Sequence, residues 1–244
     1  MSETTAVPAA APGLFARALG MIVSPTDTFR PVVATPRPVG ILFLVCVVMA
    51  IGVSLPLMTE AGQQAALATQ VAQTERITGQ PMSSDQYVQM QQGMAYGRYF
   101  AAGSMFVVIP VMTVLFSALY WAFFNIVLGG SASFGQVLTV NAHSQVITAL
   151  GTLLGAPVQI LQGTFSQTGP FNLGALAPML DPASGLAIFL GAVTFFGLWQ
   201  TIVSGIGLGV LYRRRPFGII LGLLIFYLGL TGLFTAGLSS VMGR

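Results

Sequence analysis

From Tyr99 to Leu180 the chain carries no Asp, Glu, Lys or Arg. His143, the only histidine, is the one residue in that interval that titrates near neutral pH. A water-soluble domain cannot dispense with a charged surface over so long a stretch. The whole chain is 55% hydrophobic and 6% charged, against about 25% charged residues in ordinary globular domains. Lipid is therefore its natural solvent, and the chain reads as a polytopic membrane protein. The 29 glycines suit helices that approach one another closely in a bilayer.

A spanning helix needs roughly 20 mostly apolar residues. Five segments qualify: Val39–Met58, Ala101–Leu128, Phe134–Gly155, Leu186–Leu211 and Phe217–Leu238. Lipid offers no partner to a free backbone amide or carbonyl, so each is predicted helical. The fold class is all-α, a five-transmembrane-helix bundle. Pro110 is expected to kink the second span.

All nine basic residues are arginine. Arg17, Arg30 and Arg37 precede the first span, and Arg213, Arg214 and Arg215 link the fourth to the fifth. The opposite side receives Arg76, Arg98 and Arg244 together with Glu60, Glu75, Asp85 and Asp181. The positive-inside rule then places the N-terminus in the cytoplasm and the C-terminus outside. Arginines at span ends are topology signals, and no basic face remains for nucleic acid. Cys46, the only cysteine, excludes an intramolecular disulfide. The first 23 residues lack a basic start followed by an apolar core, so Val39–Met58 is expected to act as an uncleaved anchor.

Outside the spans, residues 1–12 are rich in Ala, Thr and Pro and are predicted disordered. Residues 13–38 are read as a cytoplasmic segment of short helices, and 39–244 as the membrane domain. Leu14–Val23, apolar around Arg17, is expected along the membrane surface. Ser24-Pro25-Thr26-Asp27 is a helix start, with serine as the cap. The outer loop 59–98 reads as two helices, Gln63–Thr78 and Ser84–Tyr96, broken at Gly79-Gln80-Pro81. The second of these is continuous with the second span. The second outer loop, Ala156–Gly185, is broken by Pro170, Gly174, Pro178 and Pro182 and is expected to dip into the interface.

The third span is the most informative. Asn141, Ser144, Gln145, Thr148 and Thr152 share one helical stripe, and Gln136, Thr139 and His143 share a nearly opposite one. Leu138, Ala142, Val146, Ala149 and Leu153 form a strip between them, assigned to lipid. A helix polar on two sides should be central. Its candidate intramembrane contacts are Asn141, His143, Gln145 and, from the fourth span, Gln200. Two readings stay open, interhelical hydrogen bonding or a polar conduit, and the first is favoured. His143 lacks the buried carboxylate a proton relay needs and the companion ligands a metal needs, so it reads as neutral and hydrogen-bonded. Gly205 with Gly209, Gly151 with Gly155 and Gly218 with Gly222 have the spacing of packed membrane helices. No catalytic, cofactor or metal site is read from the sequence. It contains no intramembrane aspartate pair, no His-Glu-x-x-His and no phosphate-cradling loop.

Leu128-Gly129-Gly130-Ser131-Ala132-Ser133-Phe134-Gly135-Gln136 resembles the junction of the second and third spans in the Yip (Ypt-interacting protein) domain family. There a Gly-Gly turn is followed by small residues, an aromatic and a polar residue. Ser24-Pro25 with Phe29, five spans and a basic link before the last resemble that family too. The likeness covers roughly Leu14 to Leu238. Where the family often has a tyrosine and, four residues later, a proline, this chain has His143 and Ile147. The trafficking branch's Asp-Leu-Tyr-Gly-Pro signature is absent, which argues against small-GTPase binding. The resemblance implies a bacterial-type, non-enzymatic protein of the inner membrane, acting as scaffold or adaptor. Its expected partners are the lipid bilayer and either further copies of itself or other membrane proteins. A small-molecule or lipid transporter, or channel-like subunit, using the polar face of the third span is the alternative.

Overall fold

The computed structural model describes residues 13–166, 168–181 and 184–242. The expected tail at 1–12, Pro182 and Arg244 lie outside the described residues. The described helices are α1 (Leu14–Val23), α2 (Pro25–Ala34), α3 (Pro38–Leu57), α4 (Glu60–Thr78), α5 (Ser84–Ala122), α6 (Phe134–Ser144), α7 (Val146–Gln162), α8 (Gly185–Ala192), α9 (Phe195–Tyr212) and α10 (Pro216–Met242). A π-turn, Phe123–Val127, extends α5, and a 3-10 turn covers Leu173–Leu176. Five helical rods are long and apolar enough to cross a bilayer: Pro38–Leu57, Ser84–Val127, Phe134–Gln162, Phe195–Tyr212 and Pro216–Gly237.

Local chemistry sets the helix ends. Ser83 and Gln86 form a capping box at the start of α5, and Ser133 and Gln136 form one at the start of α6. In each, side chain and backbone exchange hydrogen bonds that would otherwise go unmade. Thr59 caps α4 and Thr194 caps α9. Gly79 and Gly163 close α4 and α7 in the left-handed conformation that glycine adopts without steric cost. Ser24 occupies the cap position of α2, but its hydroxyl donates to Asp27 at 2.9 Å and accepts no backbone amide. The expected cap is thus corrected. The acid three residues on competes for the hydroxyl by accepting its proton.

Consecutive spans run antiparallel. One end of the bundle gathers α1, α2, the Gly129-Gly130 turn and the Arg213–Arg215 turn; α4 and the loop after α7 lie at the other. The third span, α6 and α7 together, occupies the centre, touching α1, α2, α3, α5 and α9. The core therefore draws on every layer, including Met21 of α1, Phe29 of α2, Ile41 of α3, Val140 of α6, Ile147 of α7 and Leu208 of α9. A smaller cluster of Leu57, Ala66, Leu67 and Met94 holds α4 against α3 and α5.

Four sequence expectations change. The strip assigned to lipid is largely internal, since Ala142, Val146 and Ala149 are buried and only Leu153 is exposed. Apolar character alone cannot separate a lipid-facing strip from one covered by α3. The third span continues to Gln162 through Pro157, which the stop at Gly155 missed. The segment Leu186–Leu211 is not one helix; it breaks between α8 and α9. There Asn172 and Thr194 form an antiparallel bridge, with Leu173 N–H donating to Val193 and Phe195 N–H to Phe171, both at 2.9 Å. These bonds satisfy the backbone that the break frees. Lastly, α1 is more than a surface helix. Met21 is fully buried while Phe15, Leu19 and Val23 face outward.

Candidate functional site in the third span

The stripe carrying Asn141, Gln145 and Thr148 faces α5 and α9. Asn141 donates through Nδ2 to the Thr113 carbonyl and to Ser117 Oγ, each at 3.1 Å. Gln145 Nε2 donates to Thr113 Oγ1 at 2.6 Å. Ser117 Oγ in turn donates to the Thr113 carbonyl. Thr148 Oγ1 donates to Gln200 Oε1 of α9. So Asn141 and Gln145 meet α5, while Gln200 is brought to Thr148 rather than to either of them. Ser144 and Thr152 bond back to carbonyls of their own helix.

On the other side of the third span, Gln136 Nε2 donates to the Val33 carbonyl at 3.1 Å, tying α6 to the end of α2. His143 is fully buried, and its Nδ1 lies 2.8 Å from the Thr139 carbonyl. A carbonyl only accepts, so in the neutral ring Nδ1 carries the proton and Nε2 presents a lone pair. Nε2 has no hydrogen-bond partner among the described residues, nor has the buried Nε of Arg17. Arg17 lies on α1, which packs against the third span. The sequence reading took Arg17 as a topology signal alone, because nothing local reveals that α1 packs on the third span. Among the described residues no three His, Cys, Asp or Glu side chains converge where a metal could be held.

At the Gly-Gly turn the two glycines differ in reason. Gly129 has φ +66°, left-handed, with open space around it. Gly130 is needed for closeness: a Cβ there would meet Tyr212 Cε1 at 2.6 Å and the Phe124 carbonyl oxygen at 2.9 Å. Asn125 organises this turn. Its Nδ2 donates to the Ala132 carbonyl at 2.7 Å, its Oδ1 accepts from Tyr212 Oη at 3.1 Å, and Trp121 Nε1 also donates to Ala132. Phe124 stacks on Tyr212 with centroids 4.8 Å apart. Phe134 opens α6, half-buried. Asn125, Trp121 and Tyr212 were not singled out from sequence, since their partners lie in other segments.

The Yip1 domain family's model matches residues 19–238. The chain belongs to the Yip1 domain family. No curated protein and no solved structure matches it. The match takes in the second half of α1, α2, the Gly-Gly turn and all five spans of this Yip1 domain, and the first five residues of α1 precede it.

If these polar contacts hold the Yip1 domain together, Asn141→Leu should lower its stability by about 1–2 kcal/mol. Denaturation in mixed micelles would measure this. Ser117→Ala should then cost less in the Asn141→Leu background than in the native one, because the two changes delete one shared contact.

Proposed function

We propose that this Yip1 domain protein is a non-enzymatic membrane scaffold or adaptor, with its N-terminus in the cytoplasm and its C-terminus outside. One observation carries the reading: four polar side chains of the central span are spent on neighbouring helices. Asn141, Gln145, Thr148 and Gln136 each bond to α5, α9 or α2. Such groups build a sealed core rather than a path. The alternative, a transporter-like subunit, would need a polar cavity joining Asn141, Gln145 and Gln200. A cavity of about 180 Å³ beside Thr148 lies towards the α4 end of the bundle. It touches Thr148 and is lined by none of those three.

In this reading residues 13–38 form a cytoplasmic cover and the spans from α3 onward the membrane domain, in a bacterial inner membrane. Family membership supports the membrane domain, and Arg17, Arg30 and Arg37 before α3 with Arg213–Arg215 between α9 and α10 support the cytoplasmic placement. The missing Asp-Leu-Tyr-Gly-Pro signature supports a role without small GTPases. Crosslinking in native membranes followed by affinity purification tests the scaffold role. A stable homo-oligomer or membrane partner is expected; a strictly monomeric chain with no partner would overturn it. A phosphatase fused after residue 244 should be active, as it is only on the outer side, and an inactive but well-expressed fusion would reverse the orientation.

A further inference from the structure

A groove of about 680 Å³ runs between the end of α5 and the start of α10. That volume lies within the roughly 300–1,000 Å³ typical of ligand sites. Its floor is Phe124, Ile219 and Leu223, and its deep end is closed by Tyr120 and Phe226, whose rings meet edge to face at 6.5 Å. The π-turn Phe123–Val127 supplies part of one wall, a backbone irregularity that recurs at functional sites. Gly218 and Gly222 form part of the other. They have the spacing of packed helices, yet a Cβ on either would meet nothing within 4 Å. These glycines therefore hold space open, which corrects their reading as a helix-packing pair.

The mouth of the groove differs from its body. Arg214 and Arg215 line it, and no Asp or Glu does. Arg214 is fixed there: its amide donates to the Gly209 carbonyl at 3.0 Å and its Nη2 to the Leu128 carbonyl at 3.0 Å. Arg213 adopts φ +52° to make this turn, a conformation that costs a non-glycine residue roughly 1–2 kcal/mol. An apolar trough along two membrane helices, with uncompensated positive charge at one end, has the shape and charge of an amphiphile's complement. Basic pockets between membrane helices suit anionic lipid headgroups.

We propose that this groove binds one anionic phospholipid of the surrounding bilayer, with an acyl chain along Gly218 and Gly222 and the phosphate at Arg214 and Arg215. The purified full chain in detergent is offered equal phosphatidylglycerol and phosphatidylcholine, and adducts are read by native mass spectrometry. The native chain should retain one phosphatidylglycerol in preference to phosphatidylcholine. Arg215→Gln should weaken that retention about fivefold, the factor for one interfacial arginine. Gly222→Leu projects into the groove from a position whose Cβ meets nothing within 4 Å, so it should abolish retention while leaving the circular dichroism unchanged. Glycerophosphate alone should leave no adduct. Equal retention of the two lipids, full retention by Gly222→Leu, or a glycerophosphate adduct, which would mark a free-phosphate site, overturns the proposal. So does a dimer that Gly222→Leu dissolves, since a second copy would then be the occupant.

Discussion

Gly130→Val should leave little folded protein in the membrane. The new side chain would enter space already held by the Tyr212 ring and the Phe124 carbonyl oxygen, 2.6 and 2.9 Å from its Cβ, with Asn125 Oδ1 also at 2.9 Å. One of these neighbours is backbone and cannot swing aside. Relief requires breaking the Tyr212–Asn125 bond and unstacking Phe124 from Tyr212, which together join the second span to the fourth. Overpacking of this kind costs about 3 kcal/mol, a large share of a protein's net stability. Size-exclusion profiles of detergent extracts would show it as loss of the monodisperse peak. Gly129→Ala is the control. It adds left-handed strain of roughly 1–2 kcal/mol but meets no atom within 4 Å, so a folded, less stable protein should remain.

The second large effect is expected at Gly207. A Cβ there would lie 2.6 Å from Val140 Cγ1 and 2.8 Å from two atoms of the Phe29 ring. Phe29 is fully buried and anchors α2 between α6 and α9. Gly207→Val should cost about 2–3 kcal/mol and release α2 before it disturbs the spans, because α2 is the only one of the three not itself a membrane rod. Chymotrypsin added to the side bearing α2 should cut after the otherwise buried Phe29 faster in the variant. Gly97→Ala, in open space, should leave the cleavage rate unchanged.

Much of the architecture is legible in the chain because lipid simplifies the problem. A helix must satisfy its own backbone there, and length with hydropathy then locates the spans. The break at Gly79 and the start of the third span at Phe134 are helix ends read from the chain and found in the structure. What stays hidden depends on neighbours. The break at Val193–Thr194 exists because Phe171–Leu173 supplies its hydrogen bonds, and no local composition announces that pairing. The strip through Ala142, Val146 and Ala149 looks lipid-facing until α3 is seen to cover it. Gly218 and Gly222 share the spacing of Gly205 and Gly209. Yet a Cβ on Gly205 would meet the Ile220 backbone at 3.0 Å, whereas the first pair faces an open groove.

The candidate site was legible in part. Periodicity separates the two polar stripes of the third span, and they do face different neighbours. The pairing within them follows only from three dimensions: Thr148 rather than Asn141 or Gln145 meets Gln200, and α1, which carries Arg17, packs on the third span.

The central claim is that the middle of the third span is sealed, so thiol accessibility along it is the most direct measurement. In a Cys46→Ser background, Ser144→Cys places a near-isosteric thiol at a fully buried position, and Thr164→Cys places one on the exposed loop after α7. Membrane-impermeant maleimide should label Thr164→Cys readily and leave Ser144→Cys unreacted from either side of intact vesicles. Prompt labelling of Ser144→Cys in correctly folded protein would show water at mid-depth and would contradict the sealed core.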